Sequence, residues 1–332
     1  MNLRLKRNED LQQGLHRITE QRVGHLLESL GQEKLTPEAI HEVRKNVKNL
    51  RAILRLSQGA IAEPIRRRRN RALHDFAATL SGPRDAAVIL DVFLKACRAS
   101  LTFAEEPTWL REGREPLEKE AQGAPAPDEL KAVTKRVKRL AGNFLPLRQR
   151  PAPESRDVAD VDGWKGTVEA GLQKTYKQGR RLLQAISEAV NPAEETWHEF
   201  RKRAKDLGYQ LALLEKLKRV DKLVAELDKI GSALGDARDL TMLQGYLRER
   251  LSKREWMPEE QREYEQLCAH IEAQRAQLQR RAVRLAQRVY QDGSRRFASR
   301  MEKRWIRWRE NAGKQGPRSA VAPGKKGDGV TG

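Results

Sequence analysis

The chain has little of what would tie it to a redox framework, a membrane or a β-sheet. Only two cysteines occur among 332 residues, Cys97 and Cys268, and no C-x-x-C pair is present. Neither a disulfide framework nor a zinc ribbon is therefore expected, and a reducing cytoplasm is the default compartment. Pure apolar runs are short, as in Ala86–Leu90, far from the roughly 18–20 residues a spanning helix needs. The first ten residues, Met1 to Asp10, are charged throughout and hold no signal-peptide core. Aromatic residues make up 5% of the chain, too few for the stacking platform of a single-strand nucleic-acid groove. Alternation of β-branched residues is nearly absent. Acidic residues are in deficit, 46 against 66 Lys and Arg, which leaves a formal charge of +20. That balance favours a polyanionic partner, whether nucleic acid, anionic membrane or phosphate polymer.

Catalytic signatures are missing as well. No G-x-x-x-x-G-K-[ST] loop, H-E-x-x-H pair or E-x-E-x-K strand motif occurs, and no RRM, KH or zinc-finger pattern. The expectation is a binding protein with no catalytic residues, no metal and no cofactor.

What is abundant is helix-forming sequence: Leu, Ala, Glu, Lys, Arg and Gln. Helices are expected near 4–30, 37–57, 62–80, 83–101, 128–143, 163–190, 193–218, 220–234, 237–252, 257–291 and 294–310. Thr36-Pro37, Glu63-Pro64, Gly82-Pro83 and Asn191-Pro192 mark connections, because proline suits the first turn of a helix. The Pro/Gly- and charge-rich stretches 104–127 and 146–162 read as connections, the second as an inter-domain linker. Residues 311–332 read as a disordered basic tail that adds weak anion attraction.

An internal repeat organises the rest. His41-Glu-Val-Arg44-Lys45-Asn-Val-Lys48-Asn-Leu50 matches His198-Glu-Phe-Arg201-Lys202-Arg-Ala-Lys205-Asp-Leu207 at an offset of 157 residues. Leu73…Leu80-Ser-Gly-Pro-Arg84-Asp85 matches Leu227…Leu234-Gly-Asp-Ala-Arg238-Asp239 at 154, and Gly14-Leu15 and Leu26 match Gly171-Leu172 and Leu183 at 157. A period this long means two units rather than a solenoid. The predicted fold is all-α, with two tandem four-helix bundles over 1–150 and 160–310, followed by the tail.

On a helix, His41, Arg44, Lys45, Lys48, Arg51 and Arg55 share one face, while Val43, Val47, Leu50 and Leu54 form an apolar stripe opposite. In the second copy His198, Arg201, Lys202, Lys205 and Tyr209 share a face, and Phe200, Ala204, Leu207, Leu211 and Leu214 the other. A solvated face normally mixes signs, since like charges four apart cost about 0.2–0.5 kcal/mol. Glu42 and Glu199 lie off the seam, so both rows read as unneutralised and awaiting an external anion. The two histidines are either core or capping residues or donors to a phosphate oxygen, with nearby anions raising their pKa.

Other basic clusters are less specific. Arg66 to Arg69 and Arg71 encircle their helix. Tyr176, Arg180 and Arg181 lie on the helix before His198, with Tyr176 and Arg180 four apart on one face. Arg295, Arg296, Arg300, Lys303, Arg304 and Arg307 alternate with Phe297, Trp305 and Trp308, which fits a core helix with a basic outer face as well as a ligand surface. Asp85, and Asp239 three after Asp236, fit capping of a helix start. Arg84 and Arg238 are weaker ligand candidates.

The duplicated H-x-x-R-[KR]-x-x-K signature, with the later L-x(3)-R-D element, resembles the CHAD family, the conserved-histidine α-helical domain, over roughly residues 5–310. The resemblance implies two bundles related by a pseudo-two-fold axis around a basic cavity or surface. It also implies binding of inorganic polyphosphate, association with polyphosphate granules in the cytoplasm, and granule proteins as further partners. Carried over by position, the binding residues are His41, Arg44, Lys45, Lys48, Arg51 and Arg55, then His198, Arg201, Lys202 and Lys205, with Tyr176, Arg180 and Arg181 resembling a basic stretch on the preceding family helix. Gly208 stands where the first copy has Arg51, so the second copy reads as weaker at that end. Polyphosphate carries charge without bases, which suits Arg and Lys donors and no stacking platform. Two rival readings are a histidine phosphotransfer bundle, which also exposes a histidine beside cations, and a nucleic-acid-binding protein. Under the first reading nucleic acid is only a non-specific competitor.

Overall fold

The structure is a computed structural model of the chain; it describes residues 3–31, 36–80, 82–102, 105–122, 134–135, 138–139, 144–145, 163–214 and 217–311. Among these there are ten α-helices and no strand: α1 (Leu11–Leu30), α2 (Pro37–Leu56), α3 (Glu63–Ala78), α4 (Gly82–Ser100), α5 (Thr108–Ala121), α6 (Ala170–Glu188), α7 (Glu194–Ala212), α8 (Val220–Arg250), α9 (Pro258–Val289) and α10 (Ser294–Glu310). The fold is all-α. The linker 146–162 and most of the helix expected at 128–143 lie outside the described residues, as does the tail beyond Asn311.

The two histidine-bearing helices are α2 and α7. Thr36 caps α2, its hydroxyl accepting from the Ala39 N–H at 3.2 Å, with Pro37 opening the first turn. Their apolar stripes behave as the periodicity predicts: Val43, Val47, Leu50, Leu54, Phe200, Ala204, Leu207 and Leu211 are all fully buried. α2 packs on α1 and α3, α7 packs on α6 and α8, and α2 and α7 pack directly on one another. One apolar core therefore draws on both copies and takes in α10 through Phe297, Met301 and Trp305. A second, smaller core gathers Phe93, Trp109, Leu117, Leu243, Leu247, Leu267 and Ile271 from α4, α5, the far half of α8 and the near half of α9. The close contact of the copies has a backbone signature. A side chain at Gly171 would run into the backbone of Arg55 and Leu56 at the end of α2, so only glycine fits there.

Two sequence expectations are corrected. The stretch 104–127 was expected to be a connection, yet it holds α5 with Pro116 inside it. Trp109, Leu110, Gly113 and Leu117 recur at helical spacing and are buried, and that burial outweighs the one backbone hydrogen bond proline forfeits. Residues 220–234 and 237–252 were expected to be two helices separated at Gly235. They form one helix of 31 residues. Asp236 and Asp239 sit in its interior, so they cap no helix start. Asp85, by contrast, does lie in the first turn of α4.

Candidate anion-binding site

The cationic faces of α2 and α7 open onto one cleft of about 530 Å³, walled at its sides by residues of α3. Eight Lys and Arg side chains line it (Arg44, Lys48, Arg51 and Arg55 from α2; Arg201, Lys202, Arg203 and Lys205 from α7) against two carboxylates, Glu199 and Asp206. The structure thus brings together most of the residues that the sequence singles out.

Several of these cations are held by the fold. Arg44 donates to the Leu80 carbonyl at 3.0 Å, and Arg201, at the matching position, donates to the Gly231 carbonyl at 3.1 Å. Arg51 donates to the Asn70 side-chain oxygen at 3.0 Å. Gly235, which suggested a helix break, has another purpose, and Gly231 shares it. A Cβ at Gly231 would strike the Lys205 side chain, and one at Gly235 would sit 3.0 Å from Arg201 Nη2. The pair, one turn apart on α8, forms a notch through which Arg201 and Lys205, also one turn apart on α7, pass along the helix.

Asp206 is the hub of the floor. Its carboxylate accepts from Arg55 at 2.7 Å across the two copies and forms an ion pair with Arg203 at 3.0 Å within α7. Burial pushes the Asp206 carboxyl up, opposed by Arg55, Arg203 and Arg51. Burial also pulls the Arg55 guanidinium down to about 10, opposed by Asp206, so it keeps its charge at neutral pH. Arg51 and Arg201 are lowered by burial for the same reason. A group of half-buried cations with too few acids is a site where an arriving anion restores the electrostatic balance that desolvation removed.

The expectation of wholly unneutralised rows is not met. Lys45 pairs with Glu42 at 3.2 Å, Lys202 with Glu199 at 2.6 Å and Lys205 with Asp228 at 2.8 Å. The first two arise because residues three apart on a helix are neighbours even when one lies off the seam. Both are exposed pairs of the kind worth under about 1 kcal/mol, which an incoming polyanion can displace.

The histidines part company. His198 borders the cleft, with its ring against the Arg238 guanidinium. Burial, then Arg238 and Lys202, hold its pKa below the usual value. His41 is exposed and lines none of the clefts described here. Lys45 lines a neighbouring cleft of about 650 Å³ between α1, α2, α7 and α8, which shares Lys205 and Tyr209 with the first. Tyr176 is placed in the core instead of at the site: it is fully buried, stacks on Phe297 at 4.0 Å, donates to the Val289 carbonyl and accepts from the Asp292 N–H. It belongs to the seam that α6 turns inward, whereas Arg180 and Arg181 are exposed on its outer side, away from the cleft.

Sequence reasoning missed Arg203, Asp206 and His74. Arg203 and Asp206 stand where the first copy has Asn46 and Asn49, so the comparison of copies carried the signal as a pair of substitutions of opposite charge. His74 had none. Among the described residues no group of His, Cys, Asp and Glu could hold a metal ion, and no helix is long and apolar enough to cross a membrane.

The CHAD domain matches residues 17–224, a span that contains most of α1, all of α2 and α7, and every residue lining the cleft. The chain belongs to the CHAD family. Among solved structures, PptA from Streptomyces chartreusis is similar with a TM-score of 0.52 and 15% identity, over 85% of this chain and 98% of that chain, a likeness of fold. No curated protein matches. Within this CHAD chain, both copies of the H-x-x-R-[KR]-x-x-K motif direct their Arg and second Lys to the same cleft.

Proposed function

We propose that this protein binds inorganic polyphosphate in the cleft between α2 and α7 and does not turn it over. The observation that carries the reading is the convergence of Arg44 and Lys48 with Arg201 and Lys205, matching pairs from the two copies, on a cleft with eight cations and two carboxylates. A flexible strand with about one charge per phosphate suits such a row, with arginine supplying forked hydrogen bonds and lysine point charge. Units 1–150 and 160–310 each contribute one wall. In the cell the protein acts in the cytoplasm at polyphosphate granules, beside granule proteins.

Thermal unfolding tests this directly. Ligand present at 100 times Kd that binds only the native state adds about 2.7 kcal/mol. Long-chain polyphosphate should raise Tm, and orthophosphate at equal phosphorus should do much less. Replacing Arg44, Lys48, Arg201 and Lys205 by Ala should abolish the polyphosphate shift. Equal shifts from both anions, or a full shift in the quadruple variant, would remove the case for this site. Incubation with a labelled phosphodonor separates the phosphotransfer rival, which requires label on His41 or His198. Duplex DNA that competes as well as polyphosphate at matched charge would favour the nucleic-acid rival.

A further inference from the structure

A second basic cleft lies where the N-terminal segment, the turn before α8 and the last turns of α10 meet. It measures about 610 Å³ and shares no lining residue with the cleft between α2 and α7. Arg7, Lys218, Arg219, Arg304 and Arg307 line it, with Trp308 as a wall, and among the described residues no carboxylate does. Its charge is therefore less balanced than that of the first cleft, which holds two.

Three further observations point to a ligand. Arg219 is the one non-glycine residue with positive φ among the described residues, at 65°. That conformation crowds Cβ against the following carbonyl and is the natural place for glycine, yet an arginine stands there, exposed at the cleft. Strain of this kind is retained where the side chain's position matters. Arg304, one turn before Arg307, has Nη1 shut away from solvent with no hydrogen-bond partner. Burial, Arg300 and Arg219 all press against its charged form, and no acid opposes them. Finally, the Arg7 guanidinium lies over the Trp308 ring, 5.2 Å from its centre. That contact fixes Arg7 and covers the ring face on which a base would otherwise stack.

We propose that this cleft is a second, independent oligophosphate site, taking a stretch of linked phosphates without a base. The choice of polyphosphate as the anion rests on the function proposed above; the site itself does not. Two sites on one chain let a single protein hold two segments of polymer, by joining separate strands or by gripping one strand twice and gaining from effective concentration.

Isothermal titration with tripolyphosphate at low salt tests it on the full chain. The wild type should show two sites. Arg219→Gly with Arg307→Gln removes two exposed cations, and the glycine accepts the positive φ, so Tm should hold or rise while one site is lost or weakened about tenfold. Lys48→Gln with Lys205→Gln should weaken only the other. Two undiminished sites in the Arg219/Arg307 variant, or a single site in the wild type that the Lys48/Lys205 variant removes, would overturn the second site and leave the first standing. The converse, loss in the Arg219/Arg307 variant with no effect at Lys48 and Lys205, would sink the first and keep the second. Displacement of tripolyphosphate from this cleft by duplex DNA at matched phosphate would overturn the assignment of its ligand.

Discussion

Salt dependence offers the strictest test of the cleft between α2 and α7, because its size can be counted from the side chains. Of the eight cations lining it, Arg55 and Arg203 are engaged by Asp206. On the proposed reading the remaining six, Arg44, Lys48, Arg51, Arg201, Lys202 and Lys205, are the phosphate partners. Each phosphate neutralised on a flexible strand releases condensed counterion, with a slope of log K on log salt of about −0.7 per contact for single strands. Six contacts give a slope near −4, or a loss of about 300-fold in affinity between 50 and 200 mM salt. Fluorescence anisotropy of labelled long-chain polyphosphate across that range measures it. Arg201→Gln with Lys205→Gln should flatten the slope to about −3, since two contacts are gone. Lys253→Gln with Arg262→Gln, two exposed cations at the turn after α8 and the start of α9 that do not line the cleft, should leave it unchanged. A slope shallower than about −1, or one that falls equally in both variants, would mean that diffuse surface charge holds the polymer and the cleft does not.

Other consequences are as direct. Asp206→Asn leaves Arg55 and Arg203 without their shared carboxylate and should cost about 3 kcal/mol in urea unfolding, as expected when one partner of a buried ionic cluster is lost. Gly231→Ala places a methyl group against Lys205; alanine favours the helix by about 1 kcal/mol, so Tm should change little while polyphosphate affinity falls, and unchanged affinity would discard the notch. Burial, Arg238 and Lys202 bias His198 toward its neutral form in the free protein, whereas bound phosphates favour imidazolium. Affinity should therefore climb as pH falls from about 7.5 to about 5.5, less steeply in His198→Gln. The sign is opposite for the free protein. A folded pKa below the unfolded one gives stability that is present above the unfolded value and lost as pH falls, so ligand-free Tm should decline over the same interval more in the wild type than in His198→Gln.

How far the sequence carries depends on which interactions are local. The helical period placed Val43, Val47, Leu50 and Leu54 on one face and Arg44, Lys48, Arg51 and Arg55 on the other because both faces are set by a 100° step along one segment. It could not tell that Gly235 lies inside a helix, or what Gly231 is for. Their glycine character answers to side chains of α7 some 25–35 residues earlier, and a local reading can treat glycine only as a breaker. Pro116 misled in the same way, since the burial that keeps α5 helical comes from α4, α8 and α9. Tyr176 and Arg180 share a helical face by spacing, yet the boundary of the buried seam falls between them, and only the packing of α6 on α7 and α10 decides on which side each lies.

The differences between the copies are as informative as their matches. Arg44 and Lys48 recur as Arg201 and Lys205, and these four supply the cleft symmetrically. Arg51 and Arg55 correspond to Gly208 and Ala212, while Asn46 and Asn49 correspond to Arg203 and Asp206. Read one copy at a time, this looks like loss of cations from the second. In the folded chain Asp206 of the second copy binds Arg55 of the first, and Gln210 donates to the Ala52 carbonyl at 3.3 Å beside it. The changes therefore compensate across the contact: the first copy gained reach into the centre, and the second gained the carboxylate without which those guanidiniums would be stranded in a low-dielectric floor. A symmetric pair of copies would have had four arginines and no acid there. The single acidic hub lets α2 and α7 pack closely enough for the two matching Arg and Lys pairs to line one cleft.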